Sequence, residues 1–311
     1  MLCALMMVGC GGRGNSKATA FQPHHFPSMP EPPVITEPKE ATEYVLSNYW
    51  NEFLAKAYPC DSGIVNGVPA DEVEKAFGTY VTLLERGCGI DFGRKAMAGF
   101  FDKVEKFEAA DTSTNVFEFF EEMVPKYLYD PNSPVRNEDL YLLYVSRLAV
   151  SDYVDPDMKP AYDHDAQMCS LNMIGSHAAD FTFTDLGGKR HTLYGVKAET
   201  TLLFFTNPGC PACKEIIESL TSDGKIADLV ASGRLAVVNV YIDEELDKWR
   251  ENASVYPKNW YNGYDQSYII RSDVTYNVRA IPSLYVLDSE KKVIMKDAPV
   301  ENVLPYLDNL K

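Results

Sequence analysis

No apolar run among the 311 residues approaches the roughly 20 needed to cross a bilayer as a helix. Basic charge is also scarce. Against 45 Asp and Glu stand 29 Lys and Arg, a formal net charge of -16. Phosphate backbones demand a basic face, so nucleic acid is excluded as a partner. Histidine is sparse, and His164, His177 and His191 show no metal-ligand spacing, so no metal site is expected. His24-His25 sits in a proline-rich stretch and reads as linker.

What is present begins with a pattern at the N-terminus. Met1 to Val8 is apolar, and Gly9-Cys10-Gly11-Gly12 follows. An apolar stretch ending in small residues before a Cys resembles the end of a bacterial lipoprotein signal peptide, with Cys10 as the lipidated residue. No Lys or Arg precedes the stretch, so the expected start codon lies upstream. The competing reading is a frayed terminus with an incidental Cys. Acylation of Cys10 at several positions would anchor the chain stably, where one acyl chain binds marginally. The chain is then expected to face the periplasm on a lipid anchor, at the outer membrane, with no other membrane contact. Residues 11–39 read as a tether. Pro23, Pro27, Pro30, Pro32, Pro33 and Pro38 fix φ and donate no hydrogen bond, which favours an extended, polyproline-like chain.

Residues 40–150 have helical period. Val45 to Ala57, Val73 to Leu84, Ala96 to Phe107, Val116 to Tyr127 and Leu140 to Leu148 each carry apolar residues three and four apart, enough for five amphipathic helices in a small bundle. Asp130-Pro131-Asn132-Ser133-Pro134 is a turn between the last two. Residues 151–168 read as an interdomain linker. From 169 to 311 the period changes. Phe181 to Thr184 alternates and Asp185-Leu186-Gly187-Gly188-Lys189 turns, which predicts a hairpin. Thr200–Thr206 and Leu235–Ile242 read as buried strands, Leu284–Leu287 and Val293–Met295 as two more, and Val300–Leu310 as a closing helix. The expected fold is an all-α N-terminal domain followed by an α/β domain, a mixed sheet with helices on both faces.

The informative string is Thr200-Thr201-Leu202-Leu203-Phe204-Phe205-Thr206-Asn207-Pro208-Gly209-Cys210-Pro211-Ala212-Cys213-Lys214. A buried strand runs into a tight loop, and a CxxC opens the next helix. Asn207-Pro208-Gly209 supplies the turn. Cys210 then caps the helix, where free N–H groups and the dipole favour the thiolate. Pro211 fits the first helical position, whose N–H has no intrahelical partner. Cys213 lies one turn on, placed to resolve a mixed disulfide. Lys214 assists thiolate formation by its charge or lies on a solvated face. A static structural disulfide and half of a zinc site are the competing readings of the pair. Cys3 would leave with the signal peptide. Cys60, Cys88 and Cys169 supply one structural disulfide or are buried, inert thiols.

Val278-Arg279-Ala280-Ile281-Pro282-Ser283 precedes the strand Leu284-Tyr285-Val286-Leu287. Here the chain resembles the thioredoxin family, in which an Ile-Pro-Thr type segment with a cis proline faces the CxxC. The resemblance implies a cis Ile281–Pro282 bond and a loop that pairs with substrate polypeptide like an added strand. Gly175-Ser176-His177-Ala178-Ala179-Asp180-Phe181, followed by Asp185 to Lys189, is similar to the opening of extracytoplasmic thioredoxins of the TlpA/ResA type. The stretch Tyr127-Leu128-Tyr129-Asp130-Pro131-Asn132-Ser133-Pro134-Val135-Arg136-Asn137 resembles an uncharacterised domain fused ahead of such thioredoxins in Bacteroides-group lipoproteins. Departures are plain. Gly209 stands where thioredoxins usually have Trp, Ala212 where they have Pro, and Phe204 where many have a buried acid that helps the resolving thiol lose its proton. Glu215, Glu218 or water are the substitutes on offer.

The resemblance implies a thiol–disulfide oxidoreductase, leaning to reductase, acting on disulfide-containing exported proteins and served by a redox donor the sequence does not name. No organic cofactor or metal is required. The rival is a redox-inert, lipid-anchored binding protein that uses the thioredoxin fold as scaffold. A peroxiredoxin-like peroxidase is disfavoured because no Thr-x-x-Cys nucleophile is present. Asp243-Glu244-Glu245 follows a strand and suits a helix start. Trp249, Trp260 and Tyr261 line a substrate groove or pack in the core.

Overall fold

The structure is a computed structural model, and it describes residues 21–35 and 37–310. Cys3, Cys10 and residues 11–20 of the expected tether lie outside the described residues. Among the described residues no helix is long and apolar enough to cross a membrane.

The N-terminal half contains helices α1 (Pro38–Asn48), α2 (Ala70–Gly87), α3 (Ile90–Ala110), α4 (Val116–Leu128) and α5 (Glu138–Leu148). Each apolar stripe turns inward because its residues recur every three or four positions. The stripes meet around Trp50, whose ring lies 5.1 Å from both Phe100 and Phe120, while those two rings are 4.9 Å apart. Aromatic pairs at such spacing add dispersion and quadrupole attraction to the burial itself. The first helix stops sooner than its stripe suggests. Tyr49, Trp50 and Phe53 come after α1, on turns, yet are buried. Asn137 caps α5 by accepting the Leu140 N–H at 3.0 Å.

Three features correct the expected layout. First, the tether is docked at His24 and Phe26. The His24 N–H donates to the Gly67 carbonyl at 3.0 Å and the Phe26 N–H to Glu72 at 3.0 Å. The Phe26 ring packs on Tyr49, Trp50 and Phe53. Second, a small hairpin, β1 (Ile64–Val65) and β2 (Val68–Pro69), intervenes before α2. Its turn is Asn66-Gly67, with φ of 47° and 79°, the left-handed pair that a two-residue hairpin loop requires. Third, the expected linker holds a helix, α6 (Lys159–Cys169), which packs against α5 and ends in the fully buried Cys169.

The C-terminal half is built on β3 (Thr182–Asp185), β4 (Arg190–Thr192), β5 (Thr200–Phe205), β6 (Leu235–Tyr241), β7 (Tyr261–Tyr264), β8 (Ser283–Leu287) and β9 (Val293–Met295). They form one mixed sheet in the order β4-β3-β7-β6-β5-β8-β9. The β5–β6 and β6–β7 pairs are parallel and the others antiparallel. One face is covered by α7 (Pro211–Ser222), α8 (Gly224–Ala231), α9 (Leu246–Asn252) and α11 (Val300–Asp308), through residues such as Ile216, Leu229, Trp249 and Leu307. The other face carries α10 (Ile269–Ser272) together with Phe181, Leu193 and Tyr276. β5 and β6 are buried at every position, which explains their continuous apolar and β-branched sequence.

The two halves share a polar seam. Asp139, at the start of α5, accepts from Arg94 and from the Ile174 N–H, and Arg94 also reaches the Ile174 carbonyl at 3.0 Å. Asn302 on α11 donates to Glu85 on α2.

Candidate functional site

The site begins where β5, a central strand, runs out of partners. The Asn207 side chain accepts the Gly209 N–H at 3.0 Å, and the Asn207 carbonyl accepts the Cys210 N–H at 3.1 Å. This Asx-type turn swings the chain into α7. Cys210 is the N-cap of α7, with Pro211 at the first helical position, as the sequence suggests. The Cys210 Sγ accepts the Cys213 N–H at 3.1 Å, so the first helical turn presents its free donor to the sulfur. A helix N-terminus and an N–H donor both stabilise negative charge on Sγ.

Cys213 sits one turn on, 1% exposed in the core between α7 and the sheet. Burial, and then the adjacent Cys210 sulfur, push its thiol up to about 12. Both are free thiols. The two sulfurs thus have unlike surroundings, one partly open and capped by a helix, the other enclosed.

Opposite them lies the segment before β8. The Ile281–Pro282 bond is cis. The Ile281 carbonyl accepts from the Cys210 thiol at 3.9 Å. An open cleft of about 480 Å³ runs alongside, lined among others by Asn207, Cys210, Asp243, Arg271, Arg279 and Ile281. Asp243 is held by the Asn207 amide at 3.0 Å and by Arg271 at 2.6 Å.

Other expected residues fall elsewhere. Lys214 is 78% exposed and its ammonium lies 3.7 Å from Glu218, on the solvated face of α7. Glu215 and Glu218 are exposed there too, away from the buried Cys213. Phe204 is fully buried. The polar groups nearby are Thr206, Asn239 and Tyr256, with the Thr206 hydroxyl donating to the Asn239 side-chain amide oxygen and lying 3.0 Å from the Tyr256 hydroxyl. Burial raises the Tyr256 hydroxyl above its ordinary value, and negative charge on Cys213 and Cys210 would raise it further. Trp249 and Trp260 are buried packing residues, whereas Tyr261 is exposed at the start of β7, beside His191. His191 pairs with Asp185 at 2.9 Å, which holds that carboxyl below the usual range. His164 and His177 are exposed. Glu244 and Glu245 precede α9, with Glu245 at its N-cap. Cys60, Cys88 and Cys169 are free, so the expected alternative of a structural disulfide among them is not formed. Among the described residues no group of three or more His, Cys, Asp or Glu is arranged to hold a metal ion.

Sequence reasoning missed the flank of this site. Arg279, two residues before Ile281, donates from Nε to Glu138 of α5 at 2.9 Å. Nothing local marks that pair, because 141 residues separate its members.

Comparison with known proteins agrees with this architecture. A thioredoxin-like protein from Bacteroides caccae is 33% identical, with 90% of this chain and 97% of that one covered and a TM-score of 0.76. The C-terminal domain of an uncharacterized protein from Bacteroides fragilis is 45% identical over 44% of this chain and 97% of its own, with a TM-score of 0.42. The thioredoxin domain of a thiol-disulfide oxidoreductase from Bacteroides vulgatus is 20% identical over 44% of this chain and 99% of its own, with a TM-score of 0.38. No curated protein matches. Residues 12–172, just over half of the chain, match the family described as Domain of unknown function (DUF5106). The chain therefore belongs to the DUF5106 family, and it carries that domain ahead of a thioredoxin-like fold.

Proposed function

We propose that the protein is a thiol–disulfide oxidoreductase, acting as a reductase of disulfides in exported proteins from a lipid anchor at Cys10 on the periplasmic side. The observation that carries this reading is the Cys210 sulfur at the head of α7, receiving the Cys213 N–H and meeting the Ile281 carbonyl beside an open cleft.

The steps follow from that geometry. The Cys210 thiolate attacks one sulfur of a substrate disulfide. A mixed disulfide forms and the other substrate sulfur leaves as thiolate. Cys213 then gives its proton to the released substrate thiolate or to water and attacks the Cys210 sulfur. The Cys210–Cys213 disulfide forms and the second substrate thiolate departs. Two electrons have passed from the dithiol to the substrate, and a donor dithiol restores the pair. The backbone beside Ile281 offers groups with which an extended substrate segment pairs. Run backward, the same steps oxidise a dithiol.

Insulin reduction tests the reading. The wild-type chain, supplied with a dithiol donor, is expected to precipitate the insulin B chain, and Cys210→Ser to be inert. Equal rates for the two would refute the enzyme. Cys213→Ala should accumulate mixed disulfides through Cys210 and so identify the clients.

A further inference from the structure

The segment that faces Cys210 is held from outside its own domain. Glu138, in the first turn of α5, is 1% exposed at its side chain and lies 2.9 Å from both the Arg279 Nε and the Lys296 ammonium. It also accepts from the Asn277 side-chain amide at 3.2 Å. Arg279 donates in addition to the Tyr129 carbonyl, and its guanidinium stacks 4.0 Å above the Tyr129 ring. On the far side of the proline, the Ser283 hydroxyl donates to Asp297 at 2.7 Å. Asp297 in turn lies 3.3 Å from Arg279, and its carbonyl accepts from Arg136 at 2.9 Å. Residues 277, 279 and 283 therefore bracket Ile281–Pro282, and two of the three reach a single carboxylate of the helical half.

We infer that the helical half is a clamp on this segment, and that Glu138 is a positioning residue that fixes Ile281 and Pro282 against Cys210 through Arg279. The physical argument is one of unequal alternatives. The Arg279 side chain is only 13% exposed, so most of its donors cannot be satisfied by water and stay where their acceptors are. Arg279 has three acceptors in fixed places, on Glu138, Tyr129 and Asp297, and its planar fork matches them directionally. Backbone anchored on one side by Arg279 and on the other by Ser283 loses the freedom that binding would otherwise have to remove. An extended polypeptide that pairs with the segment depends on that order. A small disulfide that meets only the Cys210 sulfur does not. The catalytic part of this inference rests on the reductase reading above; the anchorage does not.

The test uses the full chain and Glu138→Gln, which keeps the shape and removes the charge. Hydrogen exchange is followed for the amides of residues 276–284 and for those of α7. The kcat/KM values for insulin and for a small aromatic disulfide are measured in parallel. Glu138→Gln is expected to speed exchange in 276–284 by about tenfold with α7 unchanged, and to lower kcat/KM for insulin by about tenfold while the small disulfide stays within about twofold. Unchanged exchange in 276–284 overturns the clamp. Equal losses on both disulfides overturn positioning and leave a general structural role. If the wild type reduces neither disulfide, the reductase reading falls, while the exchange result still decides the anchorage. Should Glu138→Gln fail to fold, Glu138→Asp, which keeps the charge and shortens the reach, is read by the same measurements.

Discussion

Cys210 and Cys213 share a helix turn and differ in almost everything that governs a thiol. One is a half-buried cap that receives an N–H at 3.1 Å, and the other is 1% exposed and pushed up to about 12. At neutral pH the reduced protein should therefore lose one of these two thiols to iodoacetamide, at Cys210, with Cys213 alkylated only on unfolding. Peptide mapping by mass spectrometry checks this, and equal labelling of both would refute it. The pH dependence has a definite sign. A thiol raised by folding binds its proton more tightly in the folded state, so the reduced form gains stability from it below the ordinary value of 9.0. That gain is lost as pH rises toward about 12. The chemistry at this scale was legible because it is local. A strand, an Asx turn and a CxxC fit within fifteen consecutive residues, and Ile281–Pro282 stands directly before a strand. The polar groups below the pair were not legible. Thr206, Asn239 and Tyr256 come from separate segments and meet only through the sheet.

Elements with a regular period were readable, and those defined by one glycine were not. β7 has four residues and includes Gly263, which breaks the strand pattern. A Cβ there would lie 2.8 Å from the Thr184 carbonyl oxygen, so the glycine is what lets β3 approach. The β1–β2 hairpin is similar. Its Asn66-Gly67 turn is a strong local signal, but the strands are two residues each and carry no visible alternation. Gly67 has φ of +79°, and an added Cβ would lie 2.6 Å from the His24 ring and 2.8 Å from Tyr58. Gly67→Ala is expected to lower stability by about 2 kcal/mol in urea titration and to loosen the docked segment at His24. A change under about 0.5 kcal/mol would show that the turn tolerates a side chain. α6 was hidden for another reason. Its sequence, KPAYDHDAQMC, has no Leu, Ile, Val or Phe, and Tyr162 and Cys169 are what pack it on the bundle.

For the molecule as a whole, the seam between the halves carries buried charge. Asp139 is fully buried and is matched by Arg94 and the Ile174 N–H. Removing Asp139 takes the acceptor from the Ile174 N–H across the seam and leaves Arg94 with only Asp91 at 3.5 Å and the Ile174 carbonyl. Asp139→Ala is expected to cost about 3 kcal/mol and to split one unfolding transition into two, as the halves uncouple. Calorimetry reads this directly, and a single unshifted transition would argue that the seam is passive. Such pairings join residues far apart in sequence, which is why the two-part organisation could be read from periodicity and the coupling between the parts could not.

The docked segment at Phe26 also sets a leash. Were lipid attached at Cys10, the chain from there to the docked His24 could span at most about 50 Å even fully drawn out. The bundle would then ride close above the lipid headgroups. Its distance from the surface would then be set by the undocked residues alone, and not by the whole proline-rich stretch.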